Sequence, residues 1–272
     1  MTYKITLTQQ AQLDRLIKFH LNICSSIDWE KEEIEPFSKE QAGPKEKVWS
    51  ERELNYIPSK LSTLLRIHRC KIKYWRFKQG HGRKQDIILY RQWEESYPFV
   101  QSILRGDQDA WRTAVKTFAT FPYQNEVLKA YSLHTYNQVT AECDIFLHCI
   151  DEVIPKKIQK ITKKGHLRYH NMPKMKRYSL YESYVYSCLL KITNDLFATL
   201  PCEVIYLNGI VGSKDRHQPI LSTVIERNLH QDNSQPLLAI QQHRHIVSFK
   251  KRSGFDPIKR VYSPIVLNKK KV

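Results

Sequence analysis

Val139-Thr140-Ala141-Glu142-Cys143-Asp144-Ile145-Phe146-Leu147 is the stretch on which the fold turns. Val139, Ala141, Cys143, Ile145 and Leu147 are apolar, and Thr140, Glu142 and Asp144 alternate with them. Alternate side chains of a strand point to opposite faces, so the stretch predicts a strand with one buried face. Downstream, Tyr181, Tyr184, Val185, Cys188, Leu189, Ile192 and Leu196 share one face of a helix expected from about Ser179 to Thr199. Strands are expected at 204–211, 220–226, 246–250 and 260–267, and shorter ones at 158–162 and 166–170 about a turn at Lys163-Lys164-Gly165.

Upstream of Asn137 the periodicity is helical. Leu13, Leu16, Ile17, His20, Cys24 and Ile27 predict an amphipathic helix over 6–27, opened by a capping box of Thr6 and Gln9. Ser59 caps a second helix over 60–78, with Leu61, Leu64, Leu65, Ile72 and Trp75 on one arc and Arg66, Arg69, Lys73 and Arg76 on the next; Gly80 and Gly82 are expected to end it. Further helices are expected over 84–105 and after Asp107, the latter carrying Ala110, Trp111, Ala114, Val115 and Phe118. The reading is an α+β chain: a mostly helical N-terminal region, 1–135, packed on a C-terminal mixed sheet with one long helix, 136–268, and a basic tail, 269–272. Within the first region, 28–53 carry nine acidic and five basic residues with Pro36, Gly43 and Pro44, so 28–58 read as an acidic, solvated loop or linker.

The chain has 272 residues, ample for a core, and 44 Lys and Arg against 27 Asp and Glu, a formal net charge of +17. With 41% hydrophobic residues it is not a disordered polyelectrolyte, and with 8 glycines it is not a glycine-rich architecture. No apolar run is long enough for a membrane span, and Met1 to Gln10 lack the plan of a secretory signal; the expected location is the cytoplasm, with no membrane partner. The six cysteines form no CxxC pair and read as free, buried thiols.

Most catalytic signatures are absent. Gly209-Ile210-Val211-Gly212-Ser213-Lys214 lacks the spacing of a phosphate loop and reads as a turn between strands. His166 with His170, and His243 with His245, have no acidic or cysteine partner at a metal-binding spacing, so no metal site is assigned. No GxSxG elbow is present. The order of helix and strands admits a metal-dependent nuclease, which would need Asp144, Glu152 and Glu182 to converge on Mg²⁺; the usual acid followed by ExK is missing, and Asp144 reads as a solvent-facing strand residue. No other cofactor is implied.

The positive signal is charge in unmixed runs. Lys156, Lys157, Lys160, Lys163, Lys164, Arg168, Lys174, Lys176 and Arg177 occur with no acid among them, interleaved with Tyr169 and followed by Tyr178. Lys250, Lys251 and Arg252 form a second cluster, and Arg66, Arg69, Lys73 and Arg76 a third. Lysine suits nonspecific phosphate contact and arginine suits bidentate or stacked contact.

From about Ile154 onward the sequence resembles an uncharacterised bacterial protein family, a domain of unknown function that often follows a small glycine-rich β domain absent here. The resemblance rests on Val153-Ile154-Pro155-Lys156, Thr162-Lys163-Lys164-Gly165, Asn171-Met172-Pro173-Lys174, Leu200-Pro201, Arg227, Phe249-Lys250-Lys251 and Gly254-Phe255. It implies a bacterial or phage origin and a shared C-terminal fold, and no catalytic residue. The function expected is a non-enzymatic, nucleic-acid-associated protein that grips the phosphate backbone through its basic clusters. The alternatives are the metal-dependent nuclease and a protein-interaction subunit of a phage-defence or mobile-element system, whose basic face meets an acidic protein partner.

Overall fold

The computed structural model describes residues 4–5, 7–123, 126–161, 166–213, 216–230 and 235–261. In chain order, β1 (Lys4–Ile5), α1 (Leu7–Ile17) and a 3-10 turn (Phe19–Leu21) are followed by α2 (Trp29–Glu33), α3 (Pro44–Leu54), α4 (Lys60–Leu64), α5 (Ile67–Leu104) and α6 (Gln108–Phe118). Then come β2 (Leu128–Thr135), β3 (Thr140–Leu147), α7 (Ile150–Val153), β4 (Lys157–Ile161), β5 (Leu167–Asn171) and α8 (Lys174–Thr199). The chain closes with β6 (Val204–Ser213), β7 (Arg216–Glu226), α9 (Pro236–Gln241), β8 (Arg244–Val247), β9 (Phe249–Lys250) and β10 (Gly254–Phe255). These elements form two compact units, 28–104 and 1–27 with 105–272. That division differs from a single boundary near 136, because α1 and α6 belong with the sheet.

The larger unit is built on a five-stranded sheet of order β2-β3-β6-β7-β8. Only β3 and β6 run parallel. Parallel neighbours need a long crossover, and α8 supplies it. The stretch 139–147 is a strand as expected, and Ala141, Cys143, Ile145 and Leu147 are buried. Every residue of α8 from Tyr184 to Thr199 is buried. A helix covered all round must satisfy its polar side chains internally. Lys191 Nζ reaches Asp195 Oδ1 at 2.6 Å, one turn on, and both side chains are fully buried. The other oxygen of Asp195 accepts from the Thr120 and Phe121 amides and from Thr120 Oγ1. Arg227 closes the helix's far end by donating to the carbonyls of Phe197, Leu200 and Cys202. β1, β4 and β5 form a separate three-stranded sheet just before α8. Gly209 to Ser213 lie inside β6 rather than in the turn.

In the smaller unit the acidic stretch 28–53 is not a solvated linker. It folds into α2 and α3, and α3 packs along α5. α5 continues through Gly80 and Gly82 for 38 residues, contrary to the expected stop there. Packing explains Gly82: a Cβ would fall 2.8 Å from the Lys45 carbonyl oxygen, so glycine lets α3 approach α5. The buried Asp86 carboxylate, one turn along, accepts from the Lys45 and Glu46 amides at the start of α3. The break instead falls at Arg66, whose φ of 56° separates α4 from α5. The helix expected over 6–27 likewise ends at Ile17 and gives way to the 3-10 turn. Cys143, Cys188 and Cys202 are buried free thiols as expected, whereas Cys70 on α5 is exposed. No helix among the described residues is long and apolar enough to cross a membrane.

Candidate functional site

Two places in the larger unit gather polar chemistry. The first is the sheet face opposite the apolar side of β3. Strand register places Ser132, Asp144, Asn208, Ser222 and Ile246 side by side across all five strands. Asn208 Nδ2 donates to Asp144 Oδ1 at 2.9 Å and to Glu142 Oε1 at 3.2 Å, and its own oxygen accepts from Ser222 Oγ at 2.6 Å. Tyr136 Oη donates to the remaining oxygen of Glu142, and Arg260 Nη1 to the remaining oxygen of Asp144. Burial and the Glu142 hydrogen bond both push the Tyr136 phenol up, keeping it a donor. Asp144 is therefore not a solvent-facing residue. The segment Asp256–Val261 is tied down by Ile258 N to the Pro219 carbonyl and Val261 N to Ser222 Oγ, and it lays Arg260 on the carboxylate.

The three carboxylates needed by a nuclease do not converge. Glu152 lies on α7, where it bonds Lys129 Nζ and the Cys149 amide, and Lys129 foremost holds its carboxyl below the usual range. Glu182 is on α8, lining a cleft of about 330 Å³ with Lys18, His20 and Tyr186, and burial raises its carboxyl. Among the described residues no group of three His, Cys, Asp or Glu side chains could hold a metal ion. Glu142, which no motif flagged, is the side chain that shares a face with Asp144. The Glu-x-Asp spacing on a strand was its only trace in the sequence.

The second place is the N-terminal end of α8, and here the basic clusters matter. β4 and β5 lead directly into the helix, with Met172 N donating to the Lys156 carbonyl at 2.8 Å. Lys174 and Lys176 stand exposed on its first turn. The β9–β10 hairpin packs against the next turn: Phe255 meets Tyr181 edge-on at 5.9 Å. Gly254, at φ 88°, fits against Tyr178, where a Cβ would fall 2.9 Å from Cδ1. The hairpin thereby carries Lys250, Lys251 and Arg252 to the helix that also bears Lys174 and Lys176. Lys251 is close enough to Glu182 to oppose the rise of its carboxyl.

Some of these cations have internal work. Arg177 donates to the Ile150 and Ile154 carbonyls and to Asp151 at 2.6 Å, so it is a structural brace rather than an exposed contact. Lys156 lies 3.3 Å from the same Asp151, whose carboxyl is held down by Arg177 first and Lys156 second. Lys250 pairs with Asp256 at 2.8 Å and holds that carboxyl down. Lys157 and Arg168 are exposed on β4 and β5, and Lys160 stands directly opposite Arg168 across the hairpin. Tyr169, beside them, is 66% exposed. Lys163 and Lys164 lie outside the described residues. Arg66, Arg69, Lys73 and Arg76 are exposed in the other unit, with Arg76 paired to Glu53 at 2.8 Å.

Comparison of the chain with protein-family models, curated proteins and solved structures gave no match.

Proposed function

We propose that the larger unit binds the phosphate backbone of nucleic acid at the N-terminal end of α8. The observation that supports this reading is the packing of the β9–β10 hairpin on Tyr178 and Tyr181, which joins two basic runs far apart in the chain. The surface offers Lys157, Arg168, Lys174, Lys176, Lys251 and Arg252 as phosphate contacts, with Tyr169 as a stacking platform. First-turn amides of a 26-residue helix with no acid in that turn add favourable field for an anion. Lysine and arginine at these positions suit contact to the backbone. No observation favours nuclease chemistry over binding.

The test is a titration of fluorescent duplex and single-stranded oligonucleotides over a salt series. Affinity should fall steeply with salt and vary little with sequence. Lys251→Ala with Arg252→Ala should weaken binding about tenfold or more and flatten the salt slope by about two. Undiminished affinity in that variant, or no binding by the parent chain at low salt, would sink the reading.

A further inference from the structure

The smaller unit is unusual in what it leaves uncovered. Of its apolar side chains only Trp29, Val100 and Ile103 are buried, while Leu54, Ile57, Leu61 and Leu64 are each at least 70% exposed. So much exposed aliphatic surface marks a docking face. On α5 the covered side holds Trp75, Gly82, Asp86, Trp93 and Val100, which face α2 and α3. The other side carries an exposed row at alternating steps of three and four, Ile67, Cys70, Tyr74, Phe77, His81, Lys84 and Ile88, of which Tyr74, at the edge, also meets Trp49 of α3 edge-on at 6.3 Å. That spacing is the seam of a two-helix coil. Phe77 is 72% and Ile88 56% exposed.

Charge says what covers it. From Lys60 to Lys84 the unit has nine basic residues and no acid. At the other end of α5 lie Glu94 and Glu95, together with the acidic α2 segment, whose Glu35 bonds Tyr90 and whose Glu33 bonds Gln101. The unit is thus positive at one end of a helix about 57 Å long and negative at the other. A parallel pair would stack like charge on like. An antiparallel pair sets each basic end on the other copy's acidic end and buries the apolar seam of both. Gly80, near the middle of α5, agrees: a Cβ there would meet nothing within 4 Å in its own chain. Glycine inside a helix costs about 1 kcal/mol against alanine, and nothing within the unit requires it, whereas a crossing helix would use the room. Nucleic acid fits the basic end only, and has nothing to offer the aliphatic side chains.

We infer that α5 pairs antiparallel with α5 of a second copy of this chain. The symmetric dimer buries the seam around Phe77 and Ile88. It does not depend on the nucleic-acid reading, which uses the other unit.

The experiment is sedimentation velocity on the full, nuclease-treated chain. A dimer of the 32.3 kDa chain is expected. Phe77→Glu with Ile88→Glu should raise the dimer dissociation constant about tenfold or more, with circular dichroism unchanged because both residues are exposed. Arg69→Glu with Lys73→Glu should weaken the dimer, and adding Glu94→Lys with Glu95→Lys should restore it, since only the antiparallel arrangement puts the two reversed ends together. A monomeric parent, a dimer indifferent to the Phe77 and Ile88 changes, or no restoration by the double reversal would overturn the inference. So would rapid oxidative linking of Cys70 to its twin, which a parallel seam would bring face to face.

Discussion

Arg260 donates to the Asp144 carboxylate at 2.8 Å, across 116 positions of sequence. The Arg260 side chain is 26% exposed and that of Asp144 14%, so the pair is screened less than a surface bridge. It ties the last described segment to β3, and the Asn208 bridge extends the tie across β6 to Ser222, and to Glu142.

The pair is therefore expected to act in stability. Asp144→Ala strands Arg260 and leaves Asn208 half satisfied, at a cost of about 2–3 kcal/mol. Arg260→Ala should cost a similar amount, and the double variant less than the sum, with a coupling of about 1–2 kcal/mol. Urea unfolding of the four proteins measures the cycle; strict additivity would mean the contact contributes nothing.

The buried pair inside α8 should behave more severely. Asp195 accepts from Lys191, from Thr120 and from the Phe121 amide, and both charged side chains are fully buried. Asp195→Ala leaves an ammonium buried without its counter-charge, a loss of about 3–5 kcal/mol. Lys191→Met with Asp195→Leu removes both charges and keeps volume, so it should recover a good part of that loss. Thermal unfolding in buffer of constant pH checks the order: the single variant below the double.

These two pairs also mark how far the sequence could be read. The alternation at 139–147 and the helical face of Tyr181 to Leu196 are local patterns, and both elements stand as expected, within an α+β chain. Arg260 on Asp144 depends on where a strand-free segment crosses the sheet, and no spacing encodes that. Gly80 and Gly82 did not act as stop signals: Gly82 answers to the Lys45 backbone of α3 and not to helix termination, while nothing within the unit requires Gly80. The acidic count in 28–53 hid two helices because their partner face on α5 is supplied by distant residues such as Asp86 and Phe99. Of the basic clusters, composition showed the runs themselves; only the Gly254–Tyr178 contact showed which of them share an end of α8.

His243 gives stability a pH dependence near neutrality. Burial lowers its pKa below the ordinary 6.5, against the opposing pull of Glu226. The unfolded chain then takes up the proton first as pH falls, so stability is full above 6.5 and is lost progressively below it, down to the folded value. His243→Phe should flatten the unfolding midpoint between pH 7 and about 5. A second, more acidic arm should persist in that variant. Asp151 and Glu152 are held below their ordinary values of 3.8 and 4.5 by Arg177 and Lys129, and that contribution is lost only as they protonate. An unchanged profile in the variant would show that His243 does not titrate between the two states.

Gly254 links the hairpin's geometry to binding. Its φ of 88° strains any other residue by about 1–2 kcal/mol, and a Cβ would press into Tyr178 at 2.9 Å. Gly254→Val should lift the β9–β10 hairpin off α8 and carry Lys251 and Arg252 with it, while the five-stranded sheet keeps its own pairing. Oligonucleotide affinity should then fall about as far as in the Lys251→Ala, Arg252→Ala variant, although no charge has been removed. Tyr178→Ala in the same chain relieves the clash but not the strained backbone, so it should restore affinity only in part. Limited proteolysis within 249–255 reports the detachment directly. If the hairpin becomes cleavable and affinity does not move, the two basic runs bind independently, and their meeting at α8 is an accident of packing.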